Sequence, residues 1–348
     1  MKIFADLHHQ SLYHSLHLLF EKRLGHELYR AIGPEWYPDY WQVYDHLNTV
    51  QQFLGYHQGN ETPKDVHGAE LPEYERKNLN YTVEDGIYYV FDPVYNTNHR
   101  AISLEKFCSM DFDILISSIP QHIPRFNRLI AESQLNAKHI FQVGNAWGRQ
   151  PGVSNILSST APFAVPDGIN VCFYHQEFDI DTYKYEPPKF HNVVNSYVHY
   201  MKRPELMDQV AALFSPGWSW TKHGAGFAPL STADAVALAM KNSAFTWHFK
   251  PEGDGYGHVI HSTYACGRPA IVDKAHYAGK LADSLLIPDH TCIDIHGLNT
   301  QQIAEKISFW SQPDNHMRMC DNAYKQFMSI VDFNAEQQLV TEFLERLV

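Results

Sequence analysis

The sequence predicts an α/β protein made of two doubly wound domains. A strand, a helix and a second strand follow one another within about the first thirty residues. The same alternation restarts after a doubled proline at Pro187–Pro188, which is typical of a linker. The chain of 348 residues also exceeds what one ordinary core fills, and it suits two domains of about 150–200 residues each.

The first domain is expected to span residues 1–182. Residues 34–80 are rich in Pro, Gly, Asn and Tyr and show little periodicity, so they are expected to form an insertion or a long loop. The periodicity of the remaining residues predicts elements in this order: strand Lys2–Leu7, helix Ser11–Leu24, strand Glu27–Ile32, strand Gly86–Phe91, strand Phe112–Ser118, helix Pro124–Gln134, strand His139–Val143 and strand Asn170–His175.

The second domain is expected to span residues 190–333. A helix of about nine residues should begin at His258. Ser231 or Thr232 should cap the helix predicted over Thr232–Lys241. The other predicted elements are the strands Asn192–His199, Ser219–Lys222, Ala244–Phe249 and Ala270–Asp273, and the helices Pro204–Phe214, Thr232–Lys241, Gln301–Ser311, Asp314–Ile330 and Ala335–Leu347.

Composition excludes several classes of protein. The chain has 27 Lys and Arg against 39 Asp and Glu, and its net charge of −12 argues against non-specific binding to nucleic acid or to an anionic membrane. No apolar run reaches the roughly 18–20 residues that span a bilayer, and no apolar signal-peptide region follows Met1. The five cysteines form no Cys-x-x-Cys pair, which favours reduced thiols and a cytoplasmic protein.

The 22 histidines invite a metal hypothesis. The closest groupings are His8–His9, His14 with His17, and His258 with His261. Zinc sites place Cys or carboxylate ligands at characteristic spacings beside such histidines, and these are missing here. No metal site is therefore expected.

The most informative segment is the glycine-rich turn Gly253–Gly257, which lies between a predicted strand and a predicted helix. Glycine lets the backbone approach a ligand closely, and the helix that follows presents unpaired N–H groups. An anionic ligand such as a diphosphate suits this position.

A helical wheel separates the residues of the next helix into two faces. One face is expected to be open to solvent or ligand, and it carries His258, His261, Ser262 and Ala265. The opposite face is expected to pack on the sheet, and it carries Val259, Ile260, Thr263 and Tyr264. The alternative is a surface helix whose histidines are only solvated.

This segment resembles the donor-sugar signature of the GT-B glycosyltransferases, especially the retaining ones, whose motif reads Glu-Gly-Phe-Gly and then Glu-Ala-x-Ala-x-Gly-x-Pro. Asp254–Gly257 stands on the first half, and Ser262–Pro269 stands on the second. Asp254 keeps a carboxylate with a shorter reach, whereas Ser262 replaces the acid that holds the ribose hydroxyls in the family. Leu24–Leu28 also resembles the Leu-x-x-x-Gly-His-Glu-Val that ends the first helix of many relatives.

The resemblance implies two Rossmann-like domains facing across a cleft, with the C-terminal helix in residues 334–348 crossing back to the first domain. It implies an enzyme that moves a sugar from a nucleotide-sugar donor to an acceptor hydroxyl. The motif spacing favours retention of configuration, and the change of both glutamates leaves inversion open. No cofactor or metal is expected, because retaining relatives need none and the chain has no Asp-x-Asp motif.

Candidate site residues follow from the motif and from the predicted strand ends. The catalytic candidates are Asp254, His122 and His8. The donor-binding candidates are Gly253, Gly255, Tyr256, Gly257, His258, His261, Ser262, Gly224, Lys202 and Arg203. A neutral pKa range would let either histidine donate to phosphate or accept the acceptor proton. Asp254 has a structural alternative, which is to cap the helix that begins at His258.

Two other functions fit the same fold. One is a sugar-nucleotide epimerase or hydrolase, and the other is a catalytically inactive nucleotide-sugar-binding protein. The sequence does not identify the acceptor. A glycan, a small metabolite and a hydroxymethylated DNA base all remain open, although the net charge of −12 disfavours the DNA base mildly.

Overall fold

A computed structural model describes residues 1–6, 10–32, 36, 81–144, 152–197, 203–224, 228, 230–250 and 254–347. The chain divides into two compact units. Unit 1 comprises residues 1–158, 164–177 and 334–348, and unit 2 comprises residues 159–163 and 178–333. Each unit contains its own sheet, whose strands are mostly parallel, so the predicted α/β class is confirmed.

Unit 1 contains a nine-stranded sheet in the order β3-β4-β5-β2-β1-β6-β7-β8-β9. Its strands are β1 Lys2–Asp6, β2 Glu27–Ala31, β3 Tyr81–Glu84, β4 Ile87–Asp92, β5 Thr97–Ile102, β6 Ile114–Ser117, β7 Lys138–Val143, β8 Asn155–Ser158 and β9 Asn170–Phe173. β4 pairs antiparallel with β3 and with β5, and all the other pairs are parallel. Side chains of β1 such as Ile3 and Phe4 are fully buried, as expected for a strand covered on both faces.

The helices of unit 1 differ from the prediction at the first helix, and the short helix at Leu104–Cys108 was not predicted. A single helix was predicted over Ser11–Leu24, whereas α1 spans Gln10–Leu16 and continues as a π-helix over His17–Arg23. π-turns are rare, and hydrophobic periodicity does not predict them. The other helices are α2 Leu104–Cys108, a 3₁₀ turn at Pro120–His122 and α3 Ile123–Ser133.

A hairpin joins β3 to β4 through Asp85 and Gly86, whose φ angles are +49° and +75°. An Asp-Gly pair with positive φ at both residues is the preferred two-residue hairpin turn. The Asp-Gly pair is visible in the sequence as a hairpin signal. The apolar run of β4 predicted that strand alone, so β3 and β5 were not predicted. The predicted insertion at residues 34–80 lies outside the described residues except for Trp36.

Unit 2 contains a five-stranded parallel sheet in the order β11-β10-β12-β13-β14. Its strands are β10 Val193–Ser196, β11 Ser219–Lys222, β12 Phe245–Trp247, β13 Ala270–Val272 and β14 Cys292–Asp294. Its helices are α4 Pro204–Ala211, α5 Ala233–Lys241, α6 His258–Ala265, α7 Thr300–Trp310 and α8 Pro313–Ile330, with 3₁₀ turns at Lys274–Tyr277 and Leu281–Leu285. As predicted, Thr232 caps α5, because its hydroxyl accepts a hydrogen bond from the Ala235 N–H at 3.1 Å.

Two hydrophobic clusters flank this sheet. One contains Ile260 and Tyr264 of α6 with Phe327 of α8. The other contains residues of α4 and α7, such as Leu206 and Ile307. Helices on both faces of a parallel sheet make the doubly wound arrangement, which places ligands at the carboxyl ends of the strands.

Arg268 is a fully buried charge that joins several parts of unit 2. Its guanidinium donates to the carbonyls of Lys241, Glu186, Cys266 and Gly267, at distances between 2.7 and 3.2 Å. These contacts tie the end of α5 and the end of α6 to the turn that leads into β13. A guanidinium has five N–H donors in a rigid fork, so one side chain can serve all of these carbonyls.

The last helix, α9, spans Phe333–Glu345. Its residues from 334 onward belong to unit 1, where Val340, Phe343 and Leu344 lie in one hydrophobic cluster with β1 and α1. Glu336 of the same helix accepts two hydrogen bonds from His175, at 2.7 Å from its backbone N–H and at 2.5 Å from Nδ1. Part of the core of unit 1 therefore comes from sequence that follows unit 2.

We expect Gly257→Ala to lower the free energy of unfolding by about 3 kcal/mol. Gly257 has a φ of +78°, and an added Cβ would lie 2.9 Å from the Ala282 Cβ. Gly297→Ala is the matched control, because Gly297 has a φ of +71° with no atom near its Cβ position. The control should lose only about 1 kcal/mol through backbone strain. Urea unfolding measures both values, and equal losses would show that the Ala282 contact does not matter.

Acid should destabilise the protein through its buried histidines. Burial lowers the pKa of His139 and of His316 to about 4. The unfolded chain binds these protons near pH 6.5, so stability is greatest above that pH and falls as the pH drops toward 4. Each histidine should cost about 3 kcal/mol over this range. In His139→Gln, the number of protons taken up on unfolding between pH 4 and pH 6.5 should fall by one. An NMR titration that places the midpoint of His139 near pH 6.5 would contradict its lowered pKa.

Candidate functional site

The carboxyl edge of the unit 2 sheet collects polar side chains. β11, β12 and β13 end at Lys222, Trp247 and Val272, and they are followed by His223, His248 and Asp273. In a parallel sheet these ends lie along one edge, which is where doubly wound domains bind ligands. The glycine turn and the first residue of α6 follow β12, so they belong to the same edge.

Asp254 is the centre of the polar group at the end of β12. Its carboxylate accepts a hydrogen bond from His248 Nε2 at 2.7 Å, and its other oxygen pairs with the Lys250 ammonium. Burial on its own would raise the pKa of this carboxyl, but the hydrogen bond and charge of His248 and the charge of Lys250 lower the pKa overall. Asp254 therefore stays ionised at neutral pH.

The buried side chains next to His248 and Lys250 in the chain hold both residues in place. Trp247 and Phe249 are buried, and the Phe249 ring stacks on His276 with ring centroids 5.6 Å apart. His248 is fully buried, whereas the Lys250 side chain is 36% exposed. Neither residue is among the site residues predicted from the sequence. A lysine four residues before an aspartate next to a glycine turn was the available signal.

His248 and Tyr277 carry buried polar atoms that the described residues leave unsatisfied. Within the described part of the chain, His248 Nδ1 and the Tyr277 hydroxyl have no hydrogen-bond partner. Their ring centroids are 6.2 Å apart. His248 carries a proton on Nε2, because the Asp254 carboxylate accepts a hydrogen bond from that nitrogen. Burial, together with the charge of Asp254, raises the pKa of Tyr277, so the phenol stays protonated.

The turn ends at Gly257, which is the N-cap residue of α6 and adopts the left-handed conformation. Glycine has no side chain that could cap the helix. The structural alternative for Asp254 is therefore wrong, since its carboxylate contacts His248 and Lys250 instead of capping α6. A Cβ added at Gly257 would lie 2.9 Å from the Ala282 Cβ, so packing requires glycine at this position.

The predicted open face of α6 is also wrong for three of its four residues, because His261, Ser262 and Ala265 are buried. The Ser262 hydroxyl donates to the His258 carbonyl at 3.0 Å within the helix. His261 Nδ1 hydrogen-bonds the Gly257 carbonyl at 2.9 Å, and its ring stacks on Tyr256 at 4.1 Å. The sheet covers one side of α6 and α8 covers another, so little of the helix meets solvent.

The remaining donor-binding candidates lie at separate places. Gly255 lies in the partly exposed turn, and His258 packs edge-on against Phe178 with ring centroids 5.8 Å apart. Gly224 has a φ of +134° after β11. Arg203 is the N-cap of α4 and lies 3.5 Å from Glu205. Gly253, Lys202 and the catalytic candidate His8 lie outside the described residues.

His122 lies at the carboxyl edge of the unit 1 sheet. It ends the 3₁₀ turn that follows β6, and its Nδ1 hydrogen-bonds the Asp6 carboxylate at the end of β1. β1 and β6 are adjacent, with Asp6 opposite Ser117. Both members of the pair are buried. Asp6 was not predicted, although a carboxylate at the end of the first strand was a usable signal.

Within the described ranges, no three His, Cys, Asp or Glu side chains are grouped so that they could hold a metal ion. Over the same ranges, no helix combines the length and the apolar character that crossing a bilayer requires.

No protein-family model and no curated protein sequence matches the chain. Solved structures do match it. HepE of Anabaena, solved with UDP, has a TM-score of 0.62 at 10% identity, over 99% of this chain and 99% of its own. Sucrose-phosphate synthase of Thermosynechococcus elongatus has a TM-score of 0.60 at 9% identity, over 100% and 99% of the two chains. An α-glucosyltransferase solved with UDP-glucose and DNA containing an abasic site has a TM-score of 0.57 at 11% identity, over 99% and 98%.

These similar structures are glycosyltransferases with the GT-B fold. The similarity extends over nearly the whole of each chain, so the GT-B fold predicted from the motif is confirmed.

We expect Ser262→Ala to leave nucleotide affinity within two-fold of the wild type, because the hydroxyl is buried and already donates to the His258 carbonyl. Isothermal titration with UDP measures the change. A ten-fold weaker Kd in a variant with wild-type thermal stability would instead support the donor contact that the motif predicts for Ser262.

Proposed function

We propose that this chain is a glycosyltransferase that binds a nucleotide-sugar donor at the carboxyl edge of the unit 2 sheet and transfers the sugar to an acceptor hydroxyl. The main support is the match over 99% of both chains to HepE, which has been solved with UDP and with UDP-glucose. The motif residues Asp254–Gly257 stand in the turn between β12 and α6, where a doubly wound domain binds nucleotides.

The local chemistry suits such a donor. α6 begins at the end of the glycine turn with Gly257 as its N-cap residue, and a helix N-terminus favours anions such as phosphate. Lys250 supplies a partly exposed ammonium beside the same turn. Negative charge grows on the diphosphate as the sugar leaves, so groups that stabilise this charge lower the barrier of the transfer step.

Retention of configuration is proposed from the spacing of Asp254 and Ser262, which matches the two acids of the retaining motif. Asp254 is the proposed catalytic carboxylate. On the acceptor side, His122 is the proposed base, and Asp6 holds its Nδ1–H so that the other ring nitrogen is the basic one. The donor contacts of Gly253, Gly255, Tyr256, His258 and Gly224 remain part of the proposal.

A cytoplasmic location is part of the same proposal. All five cysteines are free thiols, and Cys172, Cys266, Cys292 and Cys320 are buried. Buried free thiols are typical of proteins in reducing compartments.

A panel of UDP-, GDP-, ADP- and TDP-sugars tests the donor. The correct donor should raise the melting temperature by mass action, and it should release nucleotide when an acceptor is added. Release without any acceptor would indicate the hydrolase or epimerase alternative. Binding without release under any condition would indicate the inactive binding protein. No thermal shift at millimolar concentration with any member would refute the proposed function.

Asp254→Asn should lower kcat and kcat/KM together by ten-fold or more, which corresponds to about 1.4 kcal/mol or above in transition-state stabilisation. The substitution removes the charge that holds Lys250 while keeping an acceptor for His248 Nε2. Steady-state kinetics, measured beside a thermal melt, checks the effect. Unchanged turnover in a folded variant would end the catalytic assignment of Asp254.

A further inference from the structure

The diphosphate of a nucleotide sugar needs a cation, and two other cations of unit 2 already pair with acids. Arg203 is 57% exposed at the side chain and pairs with Glu205 in its own helix. Lys222, at the end of β11, donates to both carboxylate oxygens of Asp208 in α4 at 2.7 Å. Both cations are therefore paired with carboxylates that lie outside the glycine turn.

Lys250 is held differently. Its ammonium pairs with Asp254, and Asp254 lies three residues before Gly257, the N-cap of α6. An ammonium has three N–H donors, and Asp254 accepts one of them. With the side chain 36% exposed, the ammonium is accessible to a ligand from solvent.

Asp254 is itself anchored. It accepts a hydrogen bond from His248 Nε2 at 2.7 Å, and His248 is fully buried at the end of β12. The carboxylate therefore links a rigid part of the sheet to the ammonium of Lys250. A long lysine side chain has several rotamers, and an anchored partner limits them before a ligand binds.

The surroundings of this group suit a ligand. The N-cap residue of α6 is Gly257, which has no side chain to cap the helix, and a helix N-terminus favours an anion. His248 Nδ1 is a buried ring nitrogen without a hydrogen-bond partner among the described residues, and the buried Tyr277 hydroxyl also has none there. Unsatisfied buried polar groups are rare in proteins, and they mark functional sites or the positions of bound water.

We propose that Lys250 is the cation that binds the diphosphate of the donor, and that Asp254 and His248 are positioning residues that hold its ammonium beside the turn that begins α6. This inference rests on the proposed function. It assigns Asp254 a role different from the sugar contact that the motif implies. Loss of Asp254 should therefore weaken the binding of UDP, which carries no sugar.

Isothermal titration with UDP and UMP tests this on the full chain. We expect Lys250→Met to raise the Kd for UDP at least ten-fold and to bring the ratio of the UMP and UDP Kd values close to one, because the second phosphate loses its partner. Lys250→Arg should recover part of the UDP affinity. The matched control is Lys274→Met: Lys274 is 31% exposed, follows β13, and pairs with Asp283 at 2.9 Å. This control should bind both nucleotides like the wild type.

Asp254→Asn and the double variant Asp254→Asn/Lys250→Met complete a double-mutant cycle. If Asp254 acts by positioning Lys250, the single variants should each weaken UDP binding, and the double variant should be no weaker than Lys250→Met. If Asp254 contacts the sugar instead, Asp254→Asn should weaken UDP-glucose binding and leave UDP binding unchanged, which would overturn the positioning role.

The two proposals fail in different ways. If the wild-type protein binds UDP and a folded Lys250→Met variant binds it with equal affinity, the role of Lys250 is refuted and the proposed function stands. Wild-type protein that binds none of UDP, GDP, ADP and TDP at millimolar concentration would refute the proposed function and this inference together. Urea unfolding of each variant confirms that the comparison is made between folded proteins.

Discussion

The buried guanidinium of Arg268 joins parts of unit 2 that would otherwise leave carbonyl groups unsatisfied inside the protein. It donates to the carbonyl of Lys241 at the end of α5 and to those of Cys266 and Gly267 after α6. Removing one partner of a buried charged group typically costs about 3–5 kcal/mol. The direction of α6 is therefore fixed at its C-terminal end, and the position of its N-terminus follows from a rigid framework.

The glycine motif combines structural and functional demands in a few residues. Gly257 caps α6 against Ala282, and an added Cβ on Gly267 would lie 2.3 Å from the Tyr185 ring. Both glycines are therefore required by packing. The polar contacts lie just before Gly257, where the Asp254 carboxylate links His248 to Lys250. A signature that looks like one ligand-binding loop thus contains a helix cap, a packing site and a charged group.

The sequence was sufficient for the fold because strand and helix periodicity alternates clearly in unit 2, and because the motif stands between β12 and α6. It was less informative for the site. A helical wheel assumes one buried face, whereas α6 is covered on more than one side, so His261 and Ser262 were wrongly expected to be open. Asp6 and Lys250 were missed because each is paired with another side chain, His122 or Asp254, and hydrophobic periodicity does not report such pairs.

The return of α9 to unit 1 affects how this protein is made. Val340, Phe343, Leu344 and Leu347 belong to the hydrophobic cluster that surrounds β1, yet they are synthesised after all of unit 2. During translation, unit 2 can bury its full core while the apolar surface of unit 1 is still uncovered. The unit whose synthesis begins first is thus completed last, and its uncovered apolar surface is prone to aggregation during that interval.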